Sequence, residues 1–581
     1  MRTPVPDEGV GNRLRWTLSV AFGPAEVDDL VPRILDRIAA FRARHAVAHR
    51  GWVDETDVML ITYGDSIQSP DQAPLATLDG FLREWVSDVI GNVHILPFYP
   101  WSSDDGFSVI DYRAVDPALG SWDDVARLAG RFGLMFDAVI NHISKDSAWF
   151  RGFLAGDPDY ADYFHVCDPK LDYSSVTRPR ALPLLTAVQT SGGEAHVWTT
   201  FSDDQIDLNY ANPLVFLDIL DLLLFYAARG ARFLRLDAIG FLWKRLGTTC
   251  MHLPETHALI RVMRLVLDAA APGVLLITET NVPHADNIGY FGDGTDEAHL
   301  VYQFPLPPLT LYAFQTGDAG PLSDWAAALE PAPPGTAFFN FLSSHDGVGV
   351  RPVEDLLSPD QVATMAARVE ANGGRVSLRT LPDGGTAPYE LNITFLDAVS
   401  LPTDDDARRA TKFLAAQTIL LSVMGVPGIY IHSLLGSRND LAGLAATGRN
   451  RSVNREKLDL HSVQSALMDP FGLRARVVAG HRRLLAVRRT RRAFHPNALQ
   501  RIVRLDRRVF SLVRESGEDR IWIAVNVSDA AVRLAADNDQ IGFDPSARLV
   551  DLIGGIEVTP SAGAIHLNLP PYTAVWVAAE A

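Results

Sequence analysis

RFLRLDAIG (232–240), ETHALIRVMRLVLDAAAPG (255–273) and GVLLITET (273–280) decide the architecture. The first and third are short, nearly continuous apolar runs. The second spaces its apolar residues three and four apart, as an amphipathic helix does. A strand that is apolar on both faces must be covered on both faces, which is the situation of a parallel sheet with crossover helices. The same reading extends in both directions. VMLITY (58–63), VHILPFY (93–99), LMFDAVIN (134–141), LVYQF (300–304), AFFNFLSS (337–344) and GVPGIYI (425–431) are further runs of this kind, with helical stretches such as SWDDVARLAGRFG (121–133) between them. Eight such runs predict a (β/α)8 barrel. A doubly wound sheet is the alternative, but no glycine-rich phosphate loop follows the first strand.

Two connections are too long for simple loops. Residues 144–206, after the third strand, form one inserted subdomain, and 347–410, after the seventh, form another that includes PDGGTAPYELNITF (382–395). Both follow strands, so both would rise from the C-terminal face, where barrel active sites form. The barrel itself would then comprise 53–143, 207–346 and 411–494. Residues 1–52 read as a helical arm, with packing against the main domain as its expected role. From 495 to 581 the period changes to two: Ile521, Ile523, Val525 and Val527 alternate with Trp522, Ala524 and Asn526, which predicts half-buried strands of a small antiparallel β domain.

Composition removes several classes of function. The 581 residues are 47% hydrophobic and 21% charged, which is globular and not disordered. A net charge of −18 repels phosphate backbones, so no nucleic-acid partner is expected. No run reaches transmembrane length and MRTPVPDEGVGNRLRW lacks the apolar core of a secretory signal, so no membrane partner is expected. The two cysteines, Cys167 and Cys250, cannot form a disulfide scaffold, and a reducing cytoplasm is the expected compartment.

The chemistry gathers where strands end. Asp237 closes RFLRLD, Glu279 closes GVLLITE and Asp346 closes AFFNFLSSHD. A single Asp after a strand is most often a helix cap or a satisfied loop acid. Three of them converging on one barrel face, with Arg235 two before Asp237 and His345 beside Asp346, are not independent. Arg235 and Asp237 share a strand face, and a guanidinium there would keep the carboxylate ionised.

ARFLRLDA, LLITET, FLSSHD and DAVINH together resemble the sequence regions of the α-amylase superfamily, glycoside hydrolase family 13. The resemblance implies Asp237 as nucleophile, Glu279 as general acid/base and Asp346 as transition-state stabiliser, with Asn141, His142, Arg235 and His345 lining a glucose subsite. Within the family the likeness is closer to the sucrose phosphorylase group. ILPFYPWSSDDGFSVIDY (95–112) resembles the segment that clamps a terminal glucose through Asp104, and GRNRSVNREKL (448–458) the segment whose arginine, Arg455, reaches the same subsite. In the loop after strand seven, where sucrose phosphorylases have Tyr-Gln, Tyr389 is followed by Glu390, which puts a fructose acceptor in doubt. VTRPRALPLL (176–185) and ITETNVPHADNIGYFG (277–292) are similar to glucosylglycerate phosphorylases. That implies conversion of 2-O-α-D-glucosylglycerate and phosphate to α-D-glucose 1-phosphate and D-glycerate, with Arg178 and Arg180 as candidates for anion recognition. No cofactor and no metal is implied, and the partners are small molecules; a homodimer is compatible. Three rivals stay open: an α-glucoside hydrolase sharing every acid, sucrose or sucrose 6′-phosphate phosphorylase, and a non-enzymatic relative.

Overall fold

A computed structural model describes residues 7–46, 51–180, 182–380, 385–544, 546–554, 556–561 and 563–580. Residues 382–384 of the glycine-rich segment, Ala181 of VTRPRALPLL and residues 1–6 and 47–50 of the arm lie outside the described residues.

The eight apolar runs form eight parallel strands that close into a barrel. They are β1 (Met59–Thr62), β2 (Asn92–Ile95), β3 (Gly133–Ala138), β4 (Ala231–Leu236), β5 (Leu275–Thr278), β6 (Leu300–Tyr302), β7 (Ala337–Phe341) and β8 (Val426–Tyr430). Closure is made by β8 pairing with β1, Gly428 opposite Met59. All described positions of β1, β2, β3, β5, β7 and β8 are buried, which is why the runs carry no alternation. The crossover helices Pro213–Ala228 and Pro254–Ala270 cover the outside and are themselves largely buried, because the arm lies over them. In that arm, Val27, Leu30, Val31, Ile34, Ile38 and Phe41 of helix Pro24–Arg44 form the buried stripe.

After β3 the chain forms a hairpin, Leu185–Thr190 with Gly193–Trp198, and returns through Gln205–Asp207 paired with His142–Ser144. After β7 it forms a three-stranded antiparallel sheet of Val348–Gly349, Thr386–Asn392 and Arg375–Thr380, backed by helix Pro359–Ala371. Both stand over the C-terminal ends of the barrel strands.

The C-terminal antiparallel domain departs from the half-buried pattern. Strand Asp519–Asn526 is buried on both faces. Ile521, Ile523 and Val525 belong to the main core, while Trp522 and Ala524 pack with Val532, Leu534, Ile565 and Leu567 of a second sheet. The alternation sorts residues between two apolar layers, not between core and water. No helix among the described residues is long and apolar enough to cross a membrane.

Candidate active site

Sequence places the acids where the barrel ladder runs out. Arg235 on β4 lies opposite Ile277 on β5. One step further, the Asp237 amide still donates to the Ala138 carbonyl at 3.2 Å and the Glu279 amide to Leu236 at 3.2 Å. The two acids are therefore the first residues past adjacent strands. Asp346 comes five residues after β7, in the loop that leads into the second insertion. All three line one cavity of about 960 Å³.

Arg235 organises this floor. Its buried guanidinium donates to Asp237 Oδ1 at 2.8 Å, reaches Glu279 Oε2 at 3.8 Å and also holds Asp137. Asp137 in turn meets His94 at 2.6 Å. Burial would raise the Asp137 carboxyl, but His94 and Arg235 bring it down to about 2. One guanidinium thus serves three carboxylates, and the expectation for Asp237 changes accordingly. Burial pushes its carboxyl above the ordinary value, with Arg235 opposing and Asp137 reinforcing. Glu279 goes further, to about 7: burial is the largest cause, Arg235 opposes it, and the charges of Asp237 and Asp346 add to the rise. Adjacent carboxyls in different environments can divide the roles of charged and protonated group.

Asp346 behaves oppositely. Burial would raise it, but Arg451, His345 and Arg455 hold it well below the usual carboxylate range. Arg451 Nη1 lies 2.6 Å from it and Arg455 Nη2 3.6 Å. Arg451 also donates from Nε and Nη2 to both oxygens of Glu390, each at 3.1 Å, and Glu390 takes the Gly347 amide as well. Glu390 lines the cavity, but its oxygens are occupied by these donors. It orients Arg451. Tyr389 beside it is kept protonated, its hydroxyl pushed up to about 12 chiefly by burial and next by Glu390.

On the other side, His345 stacks on Phe107 with ring centroids 4.8 Å apart. Burial lowers its imidazole to about 3, so it is neutral. Phe107 is set by a strained turn. Asp104 and Asp105 both have positive φ, 55° and 51°, and at Gly106 a Cβ would lie 2.7 Å from the Pro97 carbonyl oxygen. His142 lies in the cavity wall with Nε2 2.9 Å from the Phe107 carbonyl.

Not every other expected residue enters the cavity. Asp104 and Arg455 line the same cavity, as expected, each held by its own partner. Asp104 meets Arg180 at 2.9 Å, and its carboxyl, which burial would raise, is brought down to about 2 by Arg180, Arg451 and Arg455. Arg455 pairs instead with Asp105. Asn141 is not in the wall. It sits behind His142, donating to Asp207 Oδ2 at 3.1 Å and accepting from Lys244 at 3.3 Å, so it supports the histidine. Of the arginines in VTRPRALPLL, Arg180 enters the cavity while Arg178 is exposed outside it. Sequence reading missed Asp105, Asp137, Arg351 and Arg451. Asp105 and Arg451 lie inside stretches singled out for their neighbours, and Asp137 inside the third strand run; Arg351 carried no signal. Lys145, Arg351 and Arg449 line the cavity without a carboxylate at ion-pair distance among the described residues. No group of three or more His, Cys, Asp or Glu among the described residues is arranged to hold a metal ion.

A parallel barrel whose strand ends carry a cluster of buried carboxylates in different electrostatic environments is an arrangement that acid/base and nucleophilic chemistry can use. The profile of the α-amylase catalytic domain matches residues 88–346. A glucosylglycerate phosphorylase of Allomeiothermus silvanus is 50% identical over 86% of this chain and 90% of its own length. A glucosylglycerate phosphorylase of Spirochaeta thermophila is 45% identical over 97% of this chain and 98% of its own. Among solved structures, sucrose 6F-phosphate phosphorylase from Thermoanaerobacter thermosaccharolyticum superposes with a TM-score of 0.71 at 27% identity, covering 81% of this chain and 94% of that one. The chain belongs to the α-amylase family, glycoside hydrolase family 13.

Proposed function

We propose that this protein is a retaining α-glucoside phosphorylase that converts 2-O-α-D-glucosylglycerate and phosphate to α-D-glucose 1-phosphate and D-glycerate. The observation that carries the reading is the composition of the cavity at the C-terminal ends of the barrel strands. It holds a carboxyl kept protonated to about pH 7 beside a second carboxylate. It also holds arginines with no acidic partner among the described residues. Glycoside cleavage needs the first pair, and an anionic co-substrate needs the second. The identity to glucosylglycerate phosphorylases over most of both chains supports the same substrate pair.

In this reading Asp237 attacks the anomeric carbon as Glu279 gives its proton to the departing oxygen of glycerate, leaving a glucosyl ester on Asp237. Phosphate then enters where glycerate left. Its oxygen bonds to the anomeric carbon, the bond to Asp237 breaks, and Glu279 takes the phosphate proton, so both groups return to their starting states. Two displacements give retention. Asp346, charged and braced by Arg451, faces the developing positive charge at the sugar. His142, His345, Asp104 and Arg455 hold the glucosyl unit, and Arg180 receives phosphate. The enzyme works on small molecules, and a reducing cytoplasm remains our reading of its compartment.

The test is phosphate dependence combined with an acceptor panel. Purified enzyme should release glucose 1-phosphate from glucosylglycerate only when phosphate is present. In the reverse direction it should prefer D-glycerate to fructose and fructose 6-phosphate. Free glucose formed at the same rate without phosphate would make it a hydrolase.

A further inference from the structure

The acceptor acid has three functional groups on three carbons: the hydroxyl that reacts, one free hydroxyl and the carboxylate. All lie within a few ångströms of the reacting oxygen, so whatever holds the carboxylate must stand beside Glu279. Arg180 does not meet this condition unaided, because it is already drawn to Asp104 and lies over the Phe201 ring, which also touches His142 and Phe241.

Arg351 does. It lines the cavity, is partly buried and has no carboxylate at ion-pair distance among the described residues. Gly349, two residues earlier, lies so close to Asn281 that a Cβ there would come within 2.8 Å of the amide nitrogen. Asn281 is two residues past Glu279, and both line the cavity. The Asn281 Oδ1 atom is buried and has no hydrogen-bond partner among the described residues, a costly state for a polar atom unless a ligand completes it. From the other side, the Arg351 charge is felt by His252. The ring of His252 packs within 3.2 Å of where a Cβ on Gly240 would stand, and Gly240 lies three residues past Asp237. Arg351 therefore belongs to the wall made by the ends of β4 and β5 and the loop after β7, on the acid/base side.

We propose that Arg351 anchors the carboxylate of the acceptor and so selects an acid over a neutral polyol, while Asn281 accepts a hydrogen bond from the free hydroxyl that both kinds of acceptor carry. The inference rests on the glucosylglycerate reading above and names the groups that would enforce it. A guanidinium offers a fork that matches a carboxylate, which lysine does not.

The experiment measures glucosyl transfer from glucose 1-phosphate to D-glycerate and to glycerol, in wild type, Arg351→Gln, Arg351→Lys and Asn281→Ala. The quantity read is the ratio of kcat/KM for glycerate to that for glycerol. A charge-assisted hydrogen-bond pair predicts a fall in this ratio of roughly 10- to 100-fold in Arg351→Gln. Arg351→Lys should fall less, and Asn281→Ala should weaken both acceptors. An unchanged ratio in Arg351→Gln, or equal loss on both acceptors, overturns the anchor and leaves the phosphorylase reading intact. A wild-type enzyme that transfers to neither glycerate nor any other small acid overturns both. A thermal melt of each variant separates misfolding from loss of the anchor.

Discussion

Glu279→Gln should make the protein more stable in alkaline solution while removing its activity. The carboxyl has an ordinary value of 4.5 and sits at about 7 in the folded protein. Between those values the folded chain holds a proton that the unfolded chain has released. A raised carboxyl of this kind leaves stability intact at low pH and lowers it as pH climbs to about 7. At about 1.4 kcal/mol per pH unit the full loss is roughly 3 kcal/mol, of which roughly 2 kcal/mol falls between pH 5.5 and 8.5. Glutamine has no proton to lose, so the variant escapes it. Scaling the unfolding entropy per residue to 581 residues converts this to a relative gain of about 2 °C in Tm. The assay is calorimetry of both proteins at pH 5.5, 7 and 8.5, comparing how the Tm difference changes with pH, so that any constant effect of the amide cancels. In wild type, kcat/KM for glucosylglycerate should decline above about pH 7, because the protonated form is the donor. Glu279→Gln should recover partly on substrates whose leaving groups need no proton, or with azide as nucleophile. A Tm difference that does not change with pH, or a wild-type profile flat from pH 6 to 9, refutes the assignment of the raised carboxyl to Glu279.

Asp237→Asn should reduce turnover by at least about 10³-fold with an unchanged thermal melt, since the amide preserves shape but cannot form the ester; activity near wild type in a steady-state assay contradicts the nucleophile role. Arg180→Ala should raise KM for phosphate roughly 10-fold, whereas the exposed Arg178→Ala should leave it unchanged, and initial rates against phosphate concentration distinguish them. Glu390→Gln replaces one acceptor of the Arg451 fork by a donor, so kcat should fall roughly 10- to 100-fold through loss of Arg451 from Asp346. Equal kcat with a raised KM for glycerate would instead put Glu390 in contact with the acceptor.

The barrel was legible because its signals are local. Each strand announces itself by burial on both faces, and the acids Asp237 and Glu279 follow their strands directly, so periodicity and position were enough. What escaped depends on meetings between distant segments. Arg451 is placed by Glu390, and Asp105 by Arg455 some 350 residues away. Nothing in either local sequence announces the partner. The Asp104–Asp105 turn illustrates a second reason. Two successive non-glycine residues with positive φ run against local preference, and only the surrounding cavity holds them there. Asn141 shows a third. It follows its strand as the acids do, yet its side chain turns toward Asp207 and Lys244, a choice made by the strand Gln205–Asp207 on which the insertion returns to the barrel. The strand Asp519–Asn526 misleads for a related cause, since period two reports two different faces without saying that both are dry.

A protein carrying −18 overall nevertheless has to draw two anions, phosphate and glycerate, into a cavity floored by carboxylates. Distance decides the conflict. Surface charges more than about 8–10 Å away are screened at physiological ionic strength, whereas a cation at 4 Å in a partly desolvated cleft is worth about 4 kcal/mol at an effective dielectric of 20. Which acids remain free near the anion therefore matters more than the total. Asp346 and Glu390 are bound to Arg451, Asp105 to Arg455, Asp104 to Arg180, and Glu279 is kept protonated up to about pH 7 by burial. Asp237 shares Arg235. With these acids occupied, Arg351, Arg449 and Lys145 join Arg180 as the cations of a lining in which Asp146 and Asp203 also stand. The same arithmetic explains why Glu279 should not be replaced by a stronger acid. Ionised, it would place a second free carboxylate beside the reacting centre, removing the proton needed for cleavage and repelling the phosphate needed for release.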